Sequence, residues 1–368
     1  MGASRVFESL NIHSHKGPYQ VYFSEMMTLD VLDDEVLQSS HFIIDKKIAE
    51  IYNKKLKKII NLPSTLLIEA IEQNKSLDQF PQYVEHFVKH KIRRNHCLIA
   101  LGGGIIQDIT CFLASTILRG VHWWFYPTTL LSQADSCIGS KSSVNCGNIK
   151  NILGTYNPPK QIYICAEFIN SLDHVDVRSG VGEMLKVHAI DSVESFDQIA
   201  RDYEKLFINF SIMLNYVYRS LVIKKNIIEQ DEFDQGVRNV MNYGHTFGHA
   251  IESATKYQIP HGVAVTIGMD IANYVSAEFG YGVQEYFHRM HPTLKKNYHQ
   301  FVDTEISIQP FIDAISKDKK NRGKNQLGLI LPDKTNKLSR VYLDNDERFK
   351  LTCQKYLAEI RALGIAMT

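Results

Sequence analysis

The sequence of 368 residues lacks several features that mark special classes of protein. It has no run of about 18 apolar residues, so no transmembrane helix is expected. The first residues, MGASRVFESLNIHSHKGPY, contain no apolar core of a secretory signal, and we expect a cytoplasmic protein. Because 41 Lys and Arg balance 40 Asp and Glu, the net charge of +1 gives no reason to expect a nucleic acid or an anionic membrane as partner.

Cysteine is also sparse. The six cysteines are scattered through mostly apolar segments and none forms a CxxC pair, which favours free, buried thiols in a reducing compartment. Aromatic residues, in contrast, are plentiful, with 18 Phe and 18 Tyr, so the chain can build a folded core and is not globally disordered. Its length predicts two domains.

The first half of the chain alternates strand and helix patterns. The apolar run HCLIALGGG followed by IIQDITCFLASTIL is typical of a βα unit in a parallel sheet. The segments YQVYFSE, HFIIDKK, VHWWFYPTT and QIYICAEF are further predicted strands. From about residue 175 the periodicity is helical, apart from the strand-like LGLILP. We therefore predict an α/β domain over residues 1–174 and a mainly helical domain over 175–368.

A glycine triplet, Gly102-Gly103-Gly104, stands between the predicted strand and helix of that βα unit. Glycines let the backbone approach a pyrophosphate closely, and the helix N-terminus supplies unpaired N–H groups. The triplet is not the GxGxxG pattern of dinucleotide-binding folds, so a plain tight turn remains the alternative.

Histidines cluster in the second half. His245 and His249 are four residues apart and so share one face of a helix, Glu252 lies three residues further on, and His261 follows a turn that contains proline. Three histidines and a carboxylate suit a divalent ion of the zinc type. Any one of these histidines could instead be a core residue, and spacing alone does not decide which of the four side chains are ligands.

Cations and amides in the middle of the chain could bind an anionic substrate. Arg119 lies within the apolar segment ASTILRGVHWWF, where a buried charge would need a partner or a ligand. The other such residues are individually typical of a solvated surface, but together they could bind phosphate and carboxylate groups. They are Lys141, Lys150, Asn151, Lys186, Lys224, Arg238, Asn242, Lys319 and Lys320.

Taken in order, these motifs resemble the sugar phosphate cyclases, and most closely the 3-dehydroquinate synthase family. The matching segments include LGGGIIQD, IKNILGTYNPPK, SGVGEMLKVHAI, NVMNYGHTFGHAIE and IPHGVAVTIGM, within about residues 45 to 332. The resemblance implies a Rossmann-like, NAD-binding α/β domain followed by a mainly α-helical, metal-binding domain. Departures such as Gly139-Ser140-Lys141, where the family has GGK, and Asp234, where it usually has Glu, indicate a divergent member.

The resemblance also implies which residues form the site. A divalent metal, zinc or cobalt, would be held by Glu183, His245 and His261, which leaves His249 to the substrate. The residues implied for NAD are Asp45, Glu72, Lys75, Gly103, Gly104, Asp108, Thr128, Thr129, Lys150, Phe168 and Ser171. Those implied for the substrate are Asp135, Lys141, Asn151, Lys186, Lys224, Arg238, Asn242, His249 and either Lys319 or Lys320. Arg119 resembles the residue that reaches the phosphate site of a neighbouring subunit, which implies a homodimer.

The implied reaction is that of a lyase without net redox change. A ring hydroxyl is oxidised, phosphate leaves by β-elimination, the ketone is reduced again, and the opened ring closes by an intramolecular aldol addition. Arg238 and Lys224 match the family's contacts to a substrate carboxylate, so they favour 3-deoxy-arabino-heptulosonate 7-phosphate as substrate and 3-dehydroquinate as product. That reaction would place the protein in the shikimate pathway of aromatic amino acid biosynthesis.

Two other functions fit the same motifs. One is a cyclase acting on sedoheptulose 7-phosphate or glucose 6-phosphate, of the valiolone or deoxy-inosose type. The other is an NAD- and metal-dependent polyol dehydrogenase, which would accumulate NADH without releasing phosphate. A protein that only binds a sugar phosphate would be expected to have lost a ligand or a lysine, and the sequence retains them all.

Overall fold

The chain forms two compact units. The computed structural model describes residues 9–27, 29, 32–147, 149–318, 321–322 and 325–362. Met1–Asp173 and Lys224–Phe233 make up the first unit, and His174–Ile223 and Asp234–Thr368 make up the second. Among the described residues, no helix is long and apolar enough to cross a membrane.

The first unit is built on a parallel sheet. Its strands are β1 (Leu10–Ile12), β2 (Tyr19–Ser24), β3 (Ser40–Asp45), β4 (Leu66–Ile68), β5 (Cys97–Gly102), β6 (His122–Pro127), β7 (Lys141–Cys146), β8 (Ile149–Tyr156) and β9 (Gln161–Cys165). Seven of them form one sheet in the order β1-β2-β9-β6-β5-β3-β4, while β7 and β8 form a separate hairpin. Only β1 and β2 pair antiparallel within the large sheet. The predicted alternation of strand and helix is therefore confirmed.

Helices cover this sheet and bury its central strands. The helices of the first unit are α1 (Asp34–Gln38), α2 (Lys46–Ile51), α3 (Asn53–Ile60), α4 (Phe80–Lys89) and α5 (Gly104–Thr116). The β3 residues Phe42 and Ile44 are fully buried in one core cluster with Leu56 of α3. Strands that are covered on both faces read as continuous apolar runs, which is why HFIID and CLIAL could be recognised in the sequence.

The order of the strands creates a binding crevice. Strand β3 has β4 on one side and β5 on the other, so the direction in which the chain crosses the sheet reverses there. Ligands of such sheets bind beyond the carboxyl ends of the strands at this reversal. Ile44 pairs with Leu101, and Gly102 pairs with Pro127, so Asp45, the glycine triplet and Thr128 lie along one edge.

The second unit is mainly helical. Its helices are α6 (His174–Asp191), α7 (Val193–Arg201), α8 (Tyr203–Leu206), α9 (Phe210–Gln230), α10 (His245–Ala254), α11 (His261–Glu278), α12 (Gln284–Tyr298), α13 (Ile308–Ser316) and α14 (Glu347–Lys355), and a hairpin joins β10 (Gln326–Pro332) to β11 (Leu338–Asp344). Helix α11 is central, because every residue from Gly262 to Ser276 is buried. An α/β part followed by a mostly helical part is the predicted fold class, and the structure confirms it.

One segment departs from the predicted boundary between 174 and 175. Lys224–Phe233, the end of α9 and the residues after it, belongs to the first unit. The Lys224 ammonium donates to the Asp135 carbonyl oxygen at 2.6 Å. The Glu232 carboxylate accepts from the backbone N–H of His15 at 2.8 Å. Side chains distant in sequence make these contacts, so local patterns did not indicate them.

The prediction also missed the β7–β8 hairpin. The segment from Lys141 to Asn151, in which no strand was predicted, forms β7 and the start of β8. Polar, small residues in β7 and a fully or partly exposed β8 leave no alternating apolar signal. The cysteines are free, and all but the partly buried Cys97 and the exposed Cys146 are buried, so the expectation of buried thiols holds for four of the six.

Candidate active site

Close packing of α6 on α11 brings two predicted metal ligands together. Gly182 precedes Glu183 on α6, and Gly262 follows His261 on α11. A Cβ at Gly182 would lie 2.1 Å from the Gly262 carbonyl oxygen, and one at Gly262 would lie 1.8 Å from the Ser179 carbonyl oxygen. Only glycine therefore permits this approach of the two backbones.

Helix α10 packs on α11 in the same way. A Cβ at Gly268 would lie 2.1 Å from the Gly244 carbonyl oxygen. Gly244 has a left-handed backbone, with φ of 76°, and α10 begins at the next residue, His245. His245 and His249 both lie on α10, as the four-residue spacing predicted. A glycine adjoins Glu183 and each of the three histidines in the sequence, and this recurring neighbour is a signal of close packing that histidine spacing does not show.

The distances among these side chains suit a metal ion. Glu183 Oε1 lies 3.6 Å from His245 Nε2 and 3.5 Å from His261 Nε2. Ligands bound tetrahedrally to a zinc-type ion at about 2.0–2.2 Å lie about 3.3–3.6 Å from one another. Oε1 is buried and accepts no hydrogen bond from any described residue, so an ion would supply the partner that this oxygen lacks.

A second group of side chains, which shares two histidines with the first, could also hold a metal ion. The ring nitrogens of His245, His249 and His261 all lie within 4.8 Å of one another. His249, however, is exposed, whereas Glu183 is only 1 % exposed. The tighter spacing favours Glu183, His245 and His261 as the ligands, in agreement with the assignment from the family resemblance. That assignment remains a prediction.

The electrostatics of the cluster favour the charge states that a metal requires at Glu183 and His245. Burial opposes ionisation of Glu183, but Lys186, with Nζ 2.5 Å from Oε2, and the two histidines hold the pKa of this carboxyl well below its usual range. Burial and the Lys186 cation lower the pKa of His245 well below its usual value, so its imidazole is neutral. An ionised carboxylate and a neutral imidazole are the forms that bind a metal.

Glu252, a possible ligand on spacing alone, contacts His261, which is a predicted ligand. Its Oε2 lies 3.2 Å from His261 Nδ1. Burial opposes protonation of His261, but the Glu183 and Glu252 carboxylates outweigh it and raise the pKa of the ring to about 10. Without a metal this ring is therefore protonated at neutral pH, and a metal would have to displace the proton from Nε2. A carboxylate on Nδ1 orients the ring, and Nε2 lies 3.5 Å from Glu183 Oε1.

Several residues predicted to bind NAD form a network in the first unit. Buried Lys75 lies on a 3-10 turn, and its Nζ donates to Asp108 Oδ2 at 3.1 Å and to Asn151 Oδ1 at 2.8 Å. Asp108 also accepts from the Ser143 backbone N–H at 2.9 Å. Burial raises the pKa of Asp108 although Lys75 acts in the opposite direction. Glu72 joins through Asn145, whose amide donates to it at 2.8 Å.

This network includes residues that the sequence motifs did not indicate. Ser143 and Asn145 lie on β7, which was not predicted as a strand. Asn151, predicted to bind substrate, accepts from Lys75 Nζ and from the Ser143 hydroxyl, the latter at 3.0 Å. Its backbone is left-handed, with φ of 53°, a conformation that asparagine tolerates better than most residues.

The glycine triplet lies where the prediction placed it, between β5 and α5. Helix α5 begins at Gly104 and has no side-chain cap, so its first N–H groups can bind an anion. A Cβ at Gly103 would lie 2.9 Å from Thr129 Cγ2, whereas one at Gly104 would meet nothing within 4 Å. The Thr128 backbone N–H donates to the Gly102 carbonyl oxygen at 2.9 Å, which fixes the two loops together.

The remaining residues predicted for NAD differ in accessibility. Asp45 ends β3 and caps α2 by accepting from the Lys47 backbone N–H at 3.0 Å, and burial raises the pKa of its carboxyl. Lys150 is exposed on β8. The Phe168 ring is fully buried, 5.3 Å from the Tyr52 ring, so it forms part of the core, and Ser171 donates to its carbonyl oxygen at 2.8 Å.

Residues predicted for the substrate fall into both units. In the first, Lys224 Nζ lies 3.2 Å from Asp135 Oδ1, and Lys141 is exposed at the start of β7. In the second, Arg238 is buried on a 3-10 turn that ends with the half-buried Asn242.

The inference from burial at Arg119 was wrong. This residue is exposed, in a short 3-10 turn at the end of α5, and both it and Leu118 have left-handed backbones. The turn lifts the side chain out of an otherwise apolar segment, so no buried partner is needed. Lys319 and Lys320 lie outside the described residues.

Comparison with solved structures identifies the class of fold. The chain is similar to a 2-deoxy-scyllo-inosose synthase complexed with carbaglucose-6-phosphate, NAD⁺ and Co²⁺, with a TM-score of 0.80, 18 % identity, and 95 % of this chain and 99 % of that chain covered. It is also similar to 2-epi-5-epi-valiolone synthase from Streptomyces hygroscopicus subsp. jinggangensis 5008 with NAD⁺ and Zn²⁺ bound, with a TM-score of 0.80, 23 % identity, and 93 % and 97 % coverage. The fold is that of the sugar phosphate cyclases.

Sequence comparison defines the family within this class. Residues 60–179 match the family described as 3-dehydroquinate synthase N-terminal, and residues 180–321 match 3-dehydroquinate synthase C-terminal. A 3-dehydroquinate synthase of Clostridium tetani is 36 % identical over 296 residues, which are 78 % of each chain. The chain therefore belongs to the 3-dehydroquinate synthase family.

Proposed function

We propose that the protein is an NAD- and divalent-metal-dependent lyase that converts 3-deoxy-arabino-heptulosonate 7-phosphate to 3-dehydroquinate and phosphate. The observation that carries this proposal is the arrangement of Glu183, His245 and His261. The buried Oε1 of Glu183 accepts no hydrogen bond from the described residues, and it lies from the two ring nitrogens at the distances expected between ligands of one ion. Zinc and cobalt are the candidate ions, since related folds bind them together with NAD⁺.

Bound at these sites, the ion would polarise adjacent substrate hydroxyls, and NAD would accept and then return a hydride. The chain itself has to bind, orient and neutralise one flexible anionic substrate. Lys186 is 2 % exposed and carries a fixed positive charge beside Glu183. In the NAD-binding unit, the N–H groups at the start of α5 lie at the carboxyl end of β5. This end faces the crevice beside β3, where the strand order changes direction.

The choice of substrate rests on two cations. Arg238 and Lys224 are buried cations, and the family resemblance indicates that both contact a carboxylate of the substrate. Lys224 already contacts Asp135, which would hold it in place before substrate binds. A sugar phosphate without a carboxylate would not make this contact.

Phosphate release tests the proposal directly. Purified protein with NAD and Zn²⁺ or Co²⁺ is expected to release phosphate from 3-deoxy-arabino-heptulosonate 7-phosphate, form 3-dehydroquinate and accumulate no NADH. Chelation should abolish the release. Glu183→Gln should lower kcat/KM by more than about 100-fold, because the ion loses a charged ligand. Glu285→Gln, which changes an exposed glutamate in the same way, should have no effect.

The same assay separates the alternatives. Phosphate released only from sedoheptulose 7-phosphate or glucose 6-phosphate would retain the cyclase and refute the substrate. Accumulation of NADH with a polyol, without phosphate, would refute the cyclase altogether and favour the dehydrogenase.

A further inference from the structure

A cavity of about 360 Å³ lies in the first unit, at the edge of the sheet opposite to the predicted NAD residues. Among its lining residues, Arg94 precedes β5, His122 begins β6 and Lys160 precedes β9, so they stand at the amino ends of three neighbouring strands. The glycine triplet and Thr128 follow the carboxyl ends of β5 and β6. A six-residue strand is about 20 Å long, so the two edges are well separated.

The floor of this cavity is buried and held in place. Tyr19 and Trp123 are each 2 % exposed, and Pro158 and Pro159 are buried. Trp123 Nε1 donates to the Asn157 carbonyl oxygen at 3.1 Å. The proline rings restrict the backbone, and the indole is fixed by its hydrogen bond, so the apolar floor is formed before a ligand binds.

The rim of the cavity is cationic. Lys16, Arg94 and Lys160 line it together with His122, and no Asp or Glu of the described residues lines it. Lys16 Nζ donates to Asn157 Oδ1 at 2.9 Å, which holds its ammonium at the rim. Among the described residues, Arg94 and Lys160 take part in no ion pair. Three uncompensated cations around one cavity attract an anion, although the whole chain has a net charge of only +1.

We propose that this cavity binds a small organic anion, with its carboxylate or phosphate on the rim and a ring or short chain against the floor. Arg94 and Lys160 bind the charged group from the segments before β5 and β9, and Lys16 completes the set. The volume is at the lower end for ligand cavities, which limits the ligand to about one ring. The site uses none of the residues assigned to NAD, metal or substrate, so it goes beyond the proposed function.

Calorimetric titration of the holoenzyme at constant ionic strength tests this site. The probes are phenyl phosphate and benzoate, with benzyl alcohol as the neutral analogue and inorganic phosphate as the anion without a ring. We expect at least one of the two organic anions to bind and raise the Tm, and benzyl alcohol to do neither. In the double variant Arg94→Gln/Lys160→Gln the affinity should fall at least about tenfold, the equivalent of 1.4 kcal/mol.

Controls separate this site from anion binding elsewhere. Lys54→Gln/Lys57→Gln removes two exposed charges from α3 and should leave the affinity for the anion unchanged. The catalytic site is intact in both double variants, so any binding there persists and the loss in Arg94→Gln/Lys160→Gln reports the cavity alone. Equal affinities in the wild type and this variant would overturn the proposal. The proposal would also be overturned if inorganic phosphate bound as tightly as phenyl phosphate and benzoate did not bind. That result would indicate an adventitious ion only.

Discussion

The surroundings of the histidine side chains in this protein shift their pKa values in opposite directions. Burial beside Lys186 lowers the pKa of His245, while two carboxylates raise that of His261 to about 10. A third histidine, His41 on β3, has no carboxylate among the groups that shift its pKa and contacts His96 at 3.0 Å. Residue type alone therefore does not determine the charge, because neighbours and burial decide it.

The pairing of Glu252 with His261 leads to a prediction about metal affinity. Glu252→Gln keeps the shape of the side chain but removes the charge that orients the ring, and it should weaken metal binding about 10- to 100-fold. Competition with a chelator measures the affinity. Glu285→Gln is the matched control, and equal affinity in the two variants would show that Glu252 does not position His261.

Buried His41 leads to a prediction about stability. Burial, with help from His96, lowers its pKa to about 4, so between pH 6.5 and pH 4 the unfolded chain binds this proton more readily than the folded one. The stability present above pH 6.5 is thus lost as the pH falls, and this residue should account for about 1.4 kcal/mol between pH 7.5 and pH 5.5. Urea unfolding at both pH values measures it.

His41→Gln should reduce this pH-dependent loss by that amount, whereas His299→Gln, which changes an exposed histidine, should not. An unchanged pH dependence in His41→Gln would contradict the assignment.

At the scale of elements, glycines decide how closely helices and loops approach. The contact of α6 with α11 has no room for a Cβ at Gly182 or Gly262, and this contact places Glu183 beside His261. The turn between β5 and α5 is similar, because Gly103 packs on Thr129 while Gly104 faces open space. The two glycines of that turn therefore have different structural requirements.

The helix contact predicts that Gly262→Ala separates α6 from α11. A Cβ 1.8 Å from the Ser179 carbonyl oxygen forces the backbones apart, which should cost about 3 kcal/mol and weaken metal binding. Ala264→Gly, on the same helix, should cost about 1 kcal/mol through helix propensity and leave metal binding intact. Thermal unfolding and chelator competition together check both; tight metal binding by Gly262→Ala would refute the close-packing explanation.

The turn predicts a different result for each glycine. Gly103→Ala should lower both the Tm and the affinity for NAD, because its Cβ meets Thr129 at 2.9 Å. Gly104→Ala should weaken NAD binding without lowering the Tm, since the added methyl enters open space beside the first N–H groups of α5. NAD titration by fluorescence and thermal unfolding measure the two effects. Normal NAD binding by both variants would exclude this turn from the nucleotide site.

At the scale of the whole molecule, the near-neutral net charge hides local concentrations of charge. Buried Lys186 and Lys224 each contact a carboxylate, while the cavity rim of the first unit has three cations and no acid. The two units are also not two consecutive halves of the chain. Lys224–Phe233 belongs to the first unit, although the second unit begins before it, at His174. Summed composition therefore describes neither the sites nor the boundaries.

We further propose that the active assembly is a homodimer in which exposed Arg119 acts in the neighbouring subunit's site. Arg119→Ala and Lys186→Met should each be inactive alone. After mixing and subunit exchange, each heterodimer would contain one intact site, so activity should recover to about one quarter of wild type. Phosphate release measures the recovery. No recovery, with heterodimers demonstrated by tagged subunits, would place Arg119 in its own subunit's chemistry or in none.

The sequence by itself determined the fold class, the central strands and the identity of the candidate ligands. Buried parallel strands are apolar throughout, and two histidines on one helix turn have a fixed spacing. Both features can therefore be recognised in a short stretch of sequence. Only the tertiary structure decided that Glu183, 62 residues before His245 in the chain, stands 3.6 Å from it, and that Glu252 contacts Nδ1 of the His261 ring. It also placed Arg119 at the surface and Asn151 beside Lys75. These outcomes depend on backbone contacts between distant segments, and no local pattern of residues specifies such contacts.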